Sequence, residues 1–200
     1  MHPSRVVRPL PLVLLICGSL IPLPAQEPGA EAAAPRIEVG PFSFPRAKEW
    51  KVTKPSSAMR VAQVELPQAA EGGEAAELVV FHFGARQGGS VAQNLTRWKG
   101  QFERPEGLSD EEFSSQEERT VDGLAVTILR IRGKYTPTAF PGQPPPTAIE
   151  DARLFAVIVE TEAGSYFIKA SGPRATIDHH RKSLEAIATG IRKKPTPTSP

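Results

Sequence analysis

Gly84, Gly88 and Gly89, with Arg86 between them and Ser90 directly after, are the residues whose types and spacing come nearest to chemistry in this 200-residue chain. Glycines let the backbone bend freely. At the start of a helix, where the first amides lack intrahelical partners, such a corner can cradle an anion, and Arg86 adds positive charge. The run Gly84-Ala85-Arg86-Gln87-Gly88-Gly89-Ser90 lacks the Gly-Lys-Ser/Thr ending of a phosphate loop and does not follow the dinucleotide fingerprint. Ser90 sits in Gly-Gly-Ser-Val-Ala, not in the G-x-S-x-G of a nucleophile elbow. A tight turn into a capped helix accounts for the same residues without a ligand. The binding candidates here are Arg86, Gly88, Gly89 and Ser90.

Other groups are less promising. His82 alternates with Val80 along a strand, where a packed, hydrogen-bonded imidazole is the simpler reading. The alternative is a hydrolase or small-ligand site using the corner with His82, Arg86 and Lys169, which needs a second polar group within reach of His82 at a cleft. His179 and His180 are neighbours on a helix, diverge by about 100° and match no H-x-x-x-H or H-E-x-x-H spacing, so they read as a solvated face and no metal is expected. Asp110-Glu111-Glu112 and Glu117-Glu118 lie in a polar stretch read as an exposed connection, where a raised carboxyl pKa is hard to obtain. The sequon Asn94-Leu95-Thr96 falls on a packed helix and reads as chance. Phe140 stands in the proline-dense run 136–147. It is either a contact residue on a stiff loop or an aromatic folded back on the sheet. No catalytic residue and no cofactor is assigned.

The elements that must position these groups follow from periodicity. Glu77 to Phe83 puts Val79, Phe81 and Phe83 on one face and Leu78, Val80 and His82 on the other, as an interior strand would. After the glycine corner, Ser90 with Gln93 forms a capping box, and Val91, Leu95, Trp98 and Phe102 make one helical stripe. Before this unit, Ile37–Val39, Phe42–Phe44 and Trp50–Val52 read as short edge strands or a hairpin, with Trp50 in the core or at its rim. Met59–Leu66 alternates as a strand ended by Pro67. Beyond the helix, residues 103–118 read as a surface connection, and Asp122-Gly123 turns a hairpin between Glu117–Val121 and Leu124–Tyr135. Ala152–Thr161 and Tyr166–Ser171 are further strands, and Pro173 opens a final helix with Ile177, Leu184, Ile187 and Ile191 along one side. Strands with one helix in the middle and one at the end indicate α+β: a curved antiparallel sheet with helices packed on it.

The N-terminus carries an address. Arg5 and Arg8 precede an apolar run, Leu10–Leu20, too short to span a bilayer, and Ala25 closes a small-residue segment. Residues 1–25 are expected to be a signal peptide, 26–35 a disordered linker, 36–193 a single α+β domain and 194–200 a disordered tail. The sole cysteine, Cys17, lies within the leader, where a lipoprotein site would want a small residue in place of Ile16. Lipid anchoring through Cys17 is the alternative to cleavage near Ala25. Cleavage removes Arg5 and Arg8, taking the basic count from 24 to 22 against 22 acidic residues. That balance argues against a nucleic-acid partner, and the cleaved chain is expected to carry no transmembrane helix.

The run Phe83-Gly84…Gln87-Gly88-Gly89-Ser90-Val91…Asn94…Trp98…Gln101-Phe102, with Met59-Arg60 and Gly133-Lys134-Tyr135, resembles a group of uncharacterised secreted bacterial proteins. The order of leader, hairpins, strand–glycine loop–helix unit and closing helix resembles the Mog1/PsbP-like α/β sandwich. The resemblance implies a small binding or assembly module without known catalytic residues; it supplies no partner. The expected function is therefore a noncatalytic periplasmic or secreted module that contacts an envelope or secreted protein through the Gly84–Ser90 corner and the 136–147 loop.

Overall fold

The computed structural model describes residues 35–138 and 145–195. The leader with Cys17, most of the linker, Phe140 and the residues after 195 lie outside that description.

The protein is α+β, an eight-stranded antiparallel sheet with four helices packed on it. The strands are β1 (Arg36–Val39), β2 (Phe42–Pro45), β3 (Lys51–Thr53), β4 (Arg60–Leu66), β5 (Ala76–His82), β6 (Phe102–Glu103), β7 (Ser114–Val121), β8 (Leu124–Tyr135), β9 (Ile149–Glu160), β10 (Tyr166–Pro173) and β11 (Arg192–Lys193). The helices are α1 (Val91–Lys99), α2 (Asp110–Phe113), α3 (Arg174–His179) and α4 (Arg181–Thr189). The large sheet runs β3-β4-β5-β10-β9-β8-β6, with β7 also on β8; β1, β2 and β11 form a separate three-stranded sheet.

Alternation along the strands divides the apolar residues between two layers. Val64, Leu78, Val80, Ile128, Val157 and Ile168 face one side, where Phe42 and Phe44 of β2, Trp50 just before β3, and Leu184 and Ile187 of α4 cover them. Leu129, Leu154, Ala156, Ile158 and Phe167 face the other, under Leu95 and Trp98 of α1. β5, β10, β9 and β8 are covered on both sides, which explains why they carry apolar residues at successive positions.

Three expectations need correction. The stretch 103–118 is not a plain surface connection: β6 pairs with Tyr135 and Lys134, α2 carries its own Ser109–Glu112 capping box, and β7 begins at Ser114. β6 and the start of β7 come from pairing to β8 rather than from periodicity, and α2 is a short helix closed by its own capping box. The stripe through Phe102 is not one helix, because α1 ends at Gly100 and Phe102 reaches the same core from β6. The closing helix is two helices separated at His180, with Ile191 beyond them but still buried.

His180 also departs from the solvated face expected of it, being 2% exposed. Its Nδ1 accepts from the Trp50 indole at 3.0 Å, and its Nε2 lies 2.9 Å from the Pro67 carbonyl. An indole N–H only donates, so Nδ1 bears the lone pair and Nε2–H donates to Pro67. The Glu49 carboxylate, 3.6 Å from Nδ1, is farther away and finds that nitrogen already engaged.

Candidate functional site

The glycine corner is built as its sequence predicts. Ser90 caps α1: its hydroxyl accepts from Gln93 N–H at 3.2 Å, and the Gln93 side chain accepts from Ser90 N–H at 2.9 Å. Buried Asn94 braces the loop from the helix side, its Nδ2 donating to the Gly88 and Ser90 carbonyls at 2.8 and 2.9 Å, and Arg97 donates to its Oδ1. Gly88 has φ +85°, and a Cβ there would come 2.5 Å from the Phe83 ring. Arg86 also has positive φ, at 59°, and is exposed. Ser90 and the Gln93 amide therefore spend their hydrogen bonds on the corner itself. Beside it lies a hollow of about 440 Å³ lined by Phe83, Gly88, Gly89, Gln93, Asn94 and Arg97.

His82, Arg86 and Lys169 do not form one constellation. His82 pairs with Tyr166 across β5–β10, its ring stacks on the Tyr166 ring at 4.0 Å, and its Nδ1 lies 3.2 Å from the Ser165 carbonyl. Lys169 projects from the opposite face of β10, where Nζ is 2.9 Å from Gln101 Oε1 and 3.0 Å from the Tyr135 hydroxyl. Burial, reinforced by the positive charge of Arg97, pushes the Lys169 amine down to about 8.

A second concavity, of about 350 Å³, lies between α3–α4 and the β8–β9 pair, with Glu112 and Phe113 of α2 also on its wall. Its floor is apolar, from buried Phe155, Ile177 and Leu184, and its walls hold Arg130, Arg132, Arg153 and Arg181. Strand pairing creates this density of guanidinium groups. Arg130 and Arg132 are two apart on β8 and share a face, while Arg132 lies directly opposite Arg153 on β9 and Arg130 opposite Phe155.

The four arginines are not equivalent. Arg130 lies 5.6 Å from the Phe155 ring centroid and makes a forked pair with Glu185 at 2.7 and 2.5 Å, which raises its guanidinium above the ordinary arginine value. Arg132 meets Glu112 at 3.2 Å, and Arg153 meets Asp178 at 3.4 Å. The Nε of both Arg132 and Arg153 is buried without a hydrogen-bond partner. At Arg153 that holds despite the 3.4 Å approach, because proximity of charge does not by itself give hydrogen-bond geometry. Arg181 is in no ion pair among the described residues.

The sequence reasoning missed this groove. Its one linear signal is the Arg-x-Arg alternation on β8. Asn94, set aside as part of a chance sequon, turns out to hold the glycine corner. Among the described residues no cluster of three or more His, Cys, Asp or Glu could hold a metal, and no helix is long and apolar enough to cross a membrane.

No protein-family model matches the chain, and no curated protein does. Among solved structures, LpqN, involved in cell envelope biogenesis of Mycobacterium tuberculosis, is similar at a TM-score of 0.47 and 13% identity, covering 77% of this chain and 83% of that one. The protein of unknown function PA94 from Pseudomonas aeruginosa, a putative regulator by its description, is similar at 0.46 and 12%, covering 81% and 98%. A protein from Bacteroides thetaiotaomicron VPI-5482 is similar at 0.39 and 10%, covering 78% and 46%. At these values the likenesses assign no ligand and no partner to this chain.

Proposed function

We propose that the chain is a noncatalytic binding or assembly module that works outside the cytoplasm, and that its principal contact surface is the groove between α3–α4 and β8–β9. The observation that carries this reading is the groove itself, an apolar floor under a wall of arginines on opposed strands. The extracytoplasmic location rests on the N-terminal segment, where Arg5, Arg8 and the run Leu10–Leu20 have the pattern of an export signal. Lipid anchoring through Cys17 is the alternative route to the same compartment. The Mog1/PsbP-like sandwich is our proposal for the fold family and rests on the order of elements.

A second reading is small-ligand or anion binding at Arg86, Gly88, Gly89 and Ser90, favoured by the hollow beside Gly88 and Arg97. In that reading Phe140 and the proline loop add contacts from outside the described residues.

Ser115 is exposed on the groove wall, so Ser115→Trp plugs the groove without disturbing the core. Co-purification from an envelope fraction would compare the native chain, Ser115→Trp and a chain lacking 138–146. Loss of the native chain's partners with Ser115→Trp supports the groove, and loss only with the loop deletion moves the contact to the loop. Partners unchanged in both overturn the groove reading.

A further inference from the structure

We infer, building on the groove reading, that the groove takes an extended peptide segment of a partner protein carrying carboxylate side chains beside an apolar one, with Arg132, Arg153 and Arg181 reading the carboxylates. Three observations converge on that ligand.

First, like charges directly opposite each other across antiparallel strands are unfavourable, and Arg132 and Arg153 occupy such a pair. Both also bury an Nε–H without an acceptor, a desolvation cost that folding alone does not recover. A carboxylate between the two guanidiniums relieves the repulsion.

Second, the acids already present do not saturate the wall. Glu185 is committed to Arg130 through both oxygens, and Arg130 also faces Glu117 at 3.7 Å. Glu112 divides itself between Arg132 and the Ser109 amide that it caps. Asp178 meets Arg153 only at long range, Oδ1 3.4 Å from Nε and Oδ2 accepting from Nη2 at 3.5 Å, and Glu111 lies on the same wall as a counter-charge that favours a ligand placed toward Arg153 and Arg181.

Third, the basic wall is extended. Past Arg181 and Glu185 the surface continues into a second hollow of about 560 Å³ along α4, where Arg119 and Lys182 stand with Ala186 and Thr189. Cations spaced along a concave run, over an apolar floor at one end, match an extended chain with separated carboxylates and one apolar anchor. A flat anionic membrane does not reach the floor. Arginine suits this role because its planar fork meets a carboxylate with two parallel bonds.

The test is fluorescence anisotropy with a labelled Glu-Leu-Glu-Leu-Glu peptide, its Gln-Leu-Gln-Leu-Gln counterpart and anionic phosphatidylglycerol vesicles. Each is titrated with the native chain, Arg132→Gln, Arg153→Gln, Arg153→Lys and Ser115→Trp, all checked for native melting. The expected result is binding of the acidic peptide that weakens at least about tenfold on loss of either arginine, less with Arg153→Lys, and as salt rises. Equal binding of the acidic and neutral peptides, or affinity unmoved by the arginine variants, overturns the inference. If both peptides bind alike and Ser115→Trp abolishes both, the groove reading survives and the acidic specificity fails. If Ser115→Trp changes neither, the groove reading fails with it. Arginine-dependent binding of vesicles without peptide binding assigns the site to lipid and overturns the peptide.

Discussion

The Trp50 indole donates to His180 Nδ1 at 3.0 Å, joining two residues 130 apart and tying the segment before β3 to the junction of α3 and α4. The ring's other nitrogen reaches Pro67 at the end of β4. One buried imidazole thus fixes three segments. His180→Ala leaves the indole N–H and the Pro67 carbonyl without their partner, and each buried orphan costs on the order of 1–3 kcal/mol. Urea unfolding should show a loss of more than about 2 kcal/mol. A loss below about 0.5 kcal/mol would mean water replaces the ring.

Gly88 and Gly123 both have positive φ, +85° and +74°, yet their surroundings differ. A Cβ at Gly88 would meet Phe83 at 2.5 Å and Phe167 at 3.0 Å, whereas one at Gly123 meets nothing within 4 Å. Gly123→Ala should cost about 1 kcal/mol from backbone conformation alone, and Gly88→Ala distinctly more because the aromatic rings must shift. Thermal melts of the two variants give the comparison, and equal losses would refute the packing role of Gly88.

At the same corner, Ser90→Ala removes a helix cap, a loss of about 1 kcal/mol. Asn94→Ala should cost more than that, because Asn94 is 1% exposed and its amide holds two backbone carbonyls. The order of the two denaturation midpoints checks this: a Ser90 variant less stable than the Asn94 variant would make the cap, rather than the brace, the main tie of the corner.

Lys169 makes stability depend on pH. Its amine titrates at about 8 in the folded chain, against 10.5 ordinarily, so between those values the unfolded chain binds the extra proton. Stability should therefore be lower below about pH 8 and rise as pH climbs toward 10, by roughly 3 kcal/mol at most. Burial pushes the Tyr135 phenol up as well, so it stays neutral through that window. Denaturation of the native chain and Lys169→Met across pH 7–10 reads the effect, and the same slope in both would remove Lys169 as its source.

The α+β class, β4, β5 and β8–β10, the Asp122-Gly123 turn and the capping box at Ser90 were legible in the linear sequence. Each follows from local rules: period-two alternation, glycine where φ is positive, and a side chain three residues from the amide it caps. What escaped was everything set by partners distant in the chain. The two-residue β6 exists because β8 offers it an edge, and His180 is buried because Trp50 and Pro67 supply its bonds.

The same division runs through the candidate sites. The sequence by itself determined the glycine corner, because its geometry is local, and placed His82 on a strand with Val80. Only the tertiary structure decided that His82 and Lys169 leave the sheet from opposite faces, and only strand register set Arg132 against Arg153. Alternation restricts which faces two strands share, but the exact register also needs turn geometry, and no tight turn joins Tyr135 of β8 to Ile149 of β9. The groove is a product of that register, with Arg-x-Arg on β8 as its single trace in the chain.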